Sequence, residues 1–189
     1  MHDATKPLPP LSFRRATNED SGRIADLVNF AYRGSQGWTT EAELLDGNRI
    51  NLQEVQTLIE ADGSMILLCV DGTEIIGSVH LRKMESAAYL GLFVVKPTLQ
   101  GLGIGKRFMR AAENIAQKEW GIARMSMTVI TRRQELIAYY ERRGYRRTGH
   151  ISPFPADAGA SIPRVEGLQL EVLEKDLATG ARSKDAGSA

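Results

Sequence analysis

The stretch Gln100-Gly101-Leu102-Gly103-Ile104-Gly105-Lys106 narrows the folds open to this chain more than any other segment. It follows an apolar run ending at Val94-Val95 and a Lys96-Pro97 stop. It opens an amphipathic helix with an apolar stripe of Ile104, Phe108, Ala111, Ala112 and Ile115. Met125, Met127 and Val129 then alternate with Arg124, Ser126 and Thr128, as in a half-buried strand. A strand–helix–strand crossover of this kind makes a parallel pair with a right-handed connection. Alternating glycines let the backbone turn sharply and approach a ligand closely. The helix directs its unpaired N–H groups and positive dipole end to the same place, so the segment reads as a phosphate cradle.

Two common phosphate loops fail on spacing. A Walker loop requires its first glycine where Gln100 stands, and Ser or Thr where Arg107 stands. A dinucleotide G-x-G-x-x-G pattern finds Lys106 or Phe108 at its third glycine, depending on the starting residue.

Elsewhere the chain alternates strands and helices. Leu11–Ala16 reads as a strand. Thr17 or Asn18 caps a helix with the stripe Ile24, Leu27, Val28 and Ala31, which breaks at Gly34–Gly37. Thr39/Thr40 followed by Glu43 resembles a capping box, and Leu44 to Ile59 suggests a helical region broken near Gly47. Met65–Val70 is a strand apolar on both faces, and Asp71-Gly72 signals a hairpin. The next strand alternates Ile75, Gly77, Val79 and Leu81 with Ser78, His80 and Arg82, which predicts a polar face. Ala87–Val95 is a third strand. After the crossover, Gln134–Arg143 forms a helix ending at Gly144, followed by strands at Tyr145–Gly149 and Leu168–Leu173. A single domain over 11–177 is expected, with flexible tails at 1–10 and 178–189. The sheet should be mixed, with helices on both faces.

Composition excludes several classes. The formal net charge of +1 gives no global drive towards nucleic acid or membrane. No apolar stretch approaches the roughly 20 residues of a membrane span. The one cysteine, Cys69, lies in an apolar strand and permits no internal disulfide, so a cytoplasmic setting is expected.

Gln100-x-x-Gly103-x-Gly105 resembles the Gln/Arg-x-x-Gly-x-Gly/Ala acetyl-CoA loop of the GNAT N-acetyltransferase superfamily. Tyr140-Glu141-Arg142-Arg143-Gly144-Tyr145 resembles the family's second motif, Tyr-Glu-x-x-Gly-Phe/Tyr, at the expected distance downstream. The resemblance spans roughly Ser12 to Leu177. It implies the GNAT α/β (α+β) fold: a mostly antiparallel sheet of six or seven strands, splayed at the CoA cleft between Ala87–Val95 and Arg124–Ile130. It implies acetyl transfer from acetyl-CoA, as cosubstrate and without a metal, to a primary amine held in a ternary complex. Backbone groups of Phe93, Val94 and Val95 would pair with the pantetheine arm. Gln100, Gly101, Leu102, Gly103, Ile104, Gly105 and Lys106 would hold the pyrophosphate. Tyr140 matches the tyrosine that protonates the departing thiolate, whereas Tyr139 is expected to pack.

One position departs from the pattern. Where many members carry Asn, seven residues before the tyrosine, this chain has Arg133, which could meet a phosphate or an anionic substrate group. Glu85 is the nearest candidate general base and His80 a second. In this family the acceptor site is built from the first two helices and the last long loop, here Gly34–Asp62 and His150–Arg164, with Trp38 and Phe154 as candidate walls. Glu41, Glu43, Asp46, Glu54 and Glu60 could attract a cationic amine or simply be solvated. The expected acceptor is a small molecule or a protein, and the expected assembly a monomer or homodimer. Arg132, Arg133, Arg142, Arg143, Arg146 and Arg147 form a basic stretch without interleaved aromatic residues, so nucleic acid is not an expected partner. A coenzyme-binding sensor or interaction module on the same fold, without catalysis, is the alternative.

Overall fold

The two-residue turn Gly72-Thr73, with Gly72 at φ +59°, folds β3 (Ser64–Asp71) onto β4 (Glu74–Lys83) as the Asp-Gly signal predicts. This hairpin centres a sheet seen in a computed structural model that describes residues 10–155 and 161–177. The expected tails therefore lie outside the described residues, apart from Pro10. The other long elements are β1 (Ser12–Arg15), α1 (Ser21–Arg33), α2 (Leu52–Glu60), β5 (Ala88–Val95), α3 (Ile104–Asn114), β6 (Arg124–Ile130) and α4 (Gln134–Glu141). After α4 come β7 (Arg146–Pro153) and β9 (Gln169–Asp176). Two short strands, β2 (Leu45–Asp46) and β8 (Ile162–Pro163), pair separately.

The main sheet has seven strands in the order β1-β3-β4-β5-β6-β9-β7, and its one parallel pair is β5 with β6. Helices cover both faces, as expected. Ile66, Leu68 and Val70 pack with Ile24, Val28 and Val55 of α1 and α2. Met65, Leu67 and Cys69 pack on the other face with Ile104, Phe108 and Ala112 of α3 and Ile137 of α4. Burial raises the Cys69 thiol to about 11, which makes it an inert core group.

Two sequence expectations need correction. The capping box at Thr39/Thr40 and Glu43 starts no helix: the Thr40 hydroxyl bonds the Tyr32 and Gly34 carbonyls and accepts from the Ala42 N–H, and a single turn closes on the Glu41 carbonyl. The chain instead runs through a turn into β2, and the helix begins later, at a reciprocal Asn51–Glu54 capping box. The second correction concerns β4. Residues Ile75 to Leu81 are buried throughout, so Ser78 and His80 lie in the interior. Alternation implied a wet face, but α1 covers it.

His80 Nε2 lies 2.9 Å from Ser64 Oγ. Burial, and then the nearby Arg82 charge, lower its pKa to about 4. The unfolded chain takes up this proton near pH 6.5 and the folded chain only near pH 4. His80 therefore contributes stability above about pH 6.5 that is lost as pH falls towards 4, by about 3 kcal/mol in all. Urea unfolding at pH 7 and pH 4.5 should show this loss, and His80→Gln should flatten the slope.

Candidate active site

A bulge opens the sheet where β5 and β6 should continue side by side. Ser78 pairs with Val94 and His80 with Gly91, so two steps on β4 match three on β5. Leu92 sits in the excess with φ +49°, a left-handed conformation that costs an ordinary residue about 1–2 kcal/mol. Below the bulge β5 pairs with β6 at Ala88 and Tyr89 only. Above it the strands part, and Phe93, Val94 and Val95 line a cleft of about 300 Å³.

The glycine loop forms the end of this first cleft. Gly101 and Gly103 have φ of +84° and +78°, and a Cβ on either would point into open space. Gly103 is the N-cap of α3, so the free N–H groups of the first turn gather behind it. A Cβ on Gly105 would stand 2.6 Å from the Tyr139 hydroxyl, so only glycine permits this approach. Lys106 also lines the cleft, whereas Leu102 is exposed and Ile104 points into the core; those two can contribute backbone alone. The Gln100 side chain is structural. It accepts from the Trp38 backbone N–H at 3.0 Å and donates to the Val95 carbonyl at 3.2 Å.

Arg143 places its guanidinium 3.3 Å from the Tyr139 ring centroid, and its buried Nε has no hydrogen-bond partner. Lined also by Arg143, which donates to the Tyr139 carbonyl at 2.7 Å, the cleft thus offers left-handed glycines, a helix N-terminus and a cationic side chain. That set suits a diphosphate at one end, while the unpaired edge of β5 suits an extended amide-bearing arm along its length.

A second cleft, of about 290 Å³, opens on the other side of the splayed strands. Its walls include Tyr89, Leu90, Met127, Thr128, Val129 and Phe154. Tyr32, Phe93, Arg133 and Tyr140 line both clefts, so these four mark the throat where the two meet. Tyr140 is buried in α4, and its hydroxyl has no hydrogen-bond partner among the described residues. Burial first, then the neighbouring Tyr32 and Tyr139, raise its pKa well above that of a free phenol, while Arg133 and Arg143 oppose this. Burial pushes Tyr32 up to about 12, against the charge of Arg49. Two protonated phenols therefore face the throat at neutral pH.

Arg133 is 7% exposed and is held by Glu41 at 2.9 Å and by Thr39 at 3.0 Å, while its Nε stays buried without a partner. The other Glu41 oxygen accepts from Arg33 at 2.6 Å. This buried triad ties α1, the following loop and the start of α4 around the throat.

The sequence profile of the Acetyltransferase (GNAT) family matches residues 24–145, from α1 through both clefts to Tyr145. The chain belongs to the GNAT acetyltransferase family. Solved structures agree in fold. A chimera of the Vibrio cholerae spermidine N-acetyltransferase SpeG and hSSAT superimposes with a TM-score of 0.68 at 14% identity, over 92% of this chain and 99% of that one. A GNAT acetyltransferase from Streptococcus pneumoniae gives 0.63 at 18% identity, over 88% and 99%. An IAA acetyltransferase from Bacillus cereus gives 0.60 at 17% identity, over the same shares. Curated proteins gave no match to the chain.

Within this GNAT fold the structure gathers some sequence candidates and disperses others. Phe93, Val94, Val95, Gln100, Gly101, Gly103, Gly105, Lys106, Arg133 and Tyr140 all line the first cleft. Trp38 lies there too, 5.5 Å from Tyr139, and not beside Phe154 in the second cleft. Tyr139 is cleft wall as well as packing. Glu85 is exposed in the turn before β5 and lines neither cleft, and His80 also lies outside both. Of the five carboxylates considered for the acceptor, only Glu41 reaches a cleft. Glu54 caps α2, Glu60 accepts from Asn18, Asp46 faces Arg164 at 3.5 Å and Glu43 is exposed. Much of the basic stretch is used internally: Arg146 and Arg147 pair with Asp176 and Glu171. Sequence reasoning missed Tyr32 and Arg49. Tyr32 had one signal, its place in the last turn of a helix just before the break at Gly34–Gly37. No helix among the described residues is long and apolar enough to cross a membrane.

Proposed function

We propose that this GNAT protein is an acetyl-CoA-dependent N-acetyltransferase that transfers directly to a primary amine. The observation that carries the reading is the throat: one buried, unpartnered phenol, Tyr140, lines both clefts. The first cleft takes acetyl-CoA, which supplies an acetyl group activated as a thioester. Gly101, Gly103, Gly105, Lys106 and Arg143 hold its diphosphate, and the cleft-facing backbone of Phe93–Val95, whose Val95 carbonyl already accepts from Gln100, holds its pantetheine arm. The second cleft takes the amine.

In the transfer, the neutral amine nitrogen forms a bond to the acetyl carbon while the carbon–sulfur bond breaks. Backbone N–H groups freed at the β5 bulge stabilise charge on the carbonyl oxygen. Tyr140 gives its proton to the departing sulfur and recovers one from solvent. The nitrogen releases its proton to water. Cleft walls that bring both reactants to one throat lower the barrier chiefly through orientation.

Among the described lining residues there is no histidine, and the only carboxylate is Glu41, whose oxygens both accept from arginines. The reading is therefore that the ammonium loses its proton to solvent and not to a side chain among the described lining residues. The expected result is that log kcat/KM rises with a slope of about 1 as pH increases towards the ammonium's own pKa, near 8 for an α-amine. A plateau beginning at pH 6–7 would instead implicate a side-chain base.

Thiol release measured over a panel of amines tests the function itself. CoA release that requires an amine, with N-acetyl product found by mass spectrometry, is the expected result. Acetyl-CoA binding with no amine-dependent release would favour the non-catalytic sensor.

A further inference from the structure

We infer that the acceptor carries an oxyanion as well as its amine, in the manner of an amino acid with an apolar side chain, and that Arg49 and Arg133 hold that oxyanion. The inference rests on the acetyltransferase reading above and narrows its substrate.

The second cleft contains three charged side chains among its described lining residues: Glu41, Arg49 and Arg133. Both Glu41 oxygens already accept from arginines, one from Arg33 and the other from Arg133, so its single charge is shared by two cations. The two arginines are not used up in the same way. Arg133 is 7% exposed, lines the cleft and keeps a buried Nε with no partner. The single Glu41 carboxylate is shared by two largely buried guanidiniums, so this end of the cleft keeps a net positive charge that a ligand oxyanion would balance. The Arg49 side chain is half-buried and makes no hydrogen bond or ion pair among the described residues. Tyr32 brings the two together: the Arg49 guanidinium stands 5.5 Å from its ring centroid and that of Arg133 6.0 Å. Stacking of this kind fixes a guanidinium while leaving its N–H edge for a carboxylate or other oxyanion.

Much of the remaining wall is apolar, with Leu45, Leu90, Met127, Val129, Phe154 and Leu170 beside the hydroxyls of Thr128 and Ser161. The cleft therefore offers an anion anchor, an apolar chamber and a throat leading to Tyr140. Among the described lining residues a polycationic amine would meet two arginines and one carboxylate that arginines already neutralise.

The test is a thiol-release assay with L-leucine, L-phenylalanine and L-methionine, their methyl esters, 2-aminoethylphosphonate, phenethylamine and spermidine. It is run on the wild type and on Arg49→Gln, with acetyl-CoA affinity measured in parallel by calorimetry. At least one free amino acid or the phosphonate should exceed the esters and spermidine by about tenfold or more in kcat/KM, as expected for charge-assisted hydrogen bonds to an arginine. Arg49→Gln should raise KM for that substrate about tenfold and reduce its advantage over the matching ester or uncharged amine, while acetyl-CoA affinity stays unchanged. Preference for spermidine, phenethylamine or the esters would overturn the inference and leave the acetyltransferase standing. So would an acid-over-ester preference that Arg49→Gln does not alter. Failure of the folded wild type to bind acetyl-CoA would instead remove the reading on which the inference rests.

Discussion

Tyr140→Phe is expected to lower kcat by about 10²–10³-fold while changing acetyl-CoA affinity less than twofold. The substitution removes one oxygen and keeps the ring. Tyr140 packs edge-on against Tyr139 and Tyr145 at 5.4 and 5.8 Å, and neither contact uses the hydroxyl. Because the hydroxyl also has no hydrogen-bond partner among the described residues, the substitution removes none of the described hydrogen bonds. The effect should therefore fall on the step in which sulfur acquires a proton. The raised pKa keeps the phenol protonated across the working range, so it acts as a donor and not as a base. Steady-state thiol release and calorimetry separate these quantities. Equal losses in turnover and affinity would point to disturbed packing, and unchanged turnover would remove Tyr140 from the chemistry. Tyr32 would then be the remaining phenol at the throat.

Glu41→Ala is expected to destabilise the fold by about 3–5 kcal/mol. Glu41 is 5% exposed and bridges Arg33 and Arg133, which are themselves largely buried. Removing it leaves the Arg133 charge in the interior with Thr39 as its remaining partner. Leaving a buried charge uncompensated costs more than breaking an exposed ion pair. Urea unfolding of the two proteins measures the difference. A change under about 1 kcal/mol would show that water or a rearranged side chain replaces the carboxylate. As a contrast, Glu174→Ala, which removes a long pair to Arg124 at 3.8 Å between partly exposed side chains, should cost little.

The parts of this fold that local sequence signals specify were legible in advance. The Asp71-Gly72 turn, the Lys96-Pro97 stop, the glycine loop and Gly144 each dictate a backbone conformation to a few adjacent residues. The strands and helices between them follow from apolar spacing. The same signals placed Gly101, Gly103, Gly105 and Tyr140 at the site, because close backbone approach and helix position are local properties. What escaped depends on residues far apart in sequence. Glu41 looked like part of a solvated helix, yet Arg133, 92 positions away, draws it into the interior. His80 occupied the polar phase of an alternating strand, and no local pattern shows that α1 covers that face. Trp38 was expected on the acceptor side, but its backbone is tied to Gln100, 62 positions on, which puts the ring in the first cleft. At the bulge that opens the sheet the left-handed φ falls on Leu92 and not on a glycine, and Gly91 beside it is the local signal for the bulge.

Calorimetric titration of the purified protein with acetyl-CoA bears most directly on the function proposed for these two clefts. Micromolar binding by the wild type is expected, weakened about tenfold or more in Gly103→Val, whose β-branched side chain would occupy the open cradle at a left-handed position and displace an anion from its N–H donors. Circular dichroism would confirm that both proteins are folded. A folded wild type that does not bind acetyl-CoA, or a Gly103→Val variant that binds it equally well, would contradict the assignment of the glycine loop as the diphosphate site.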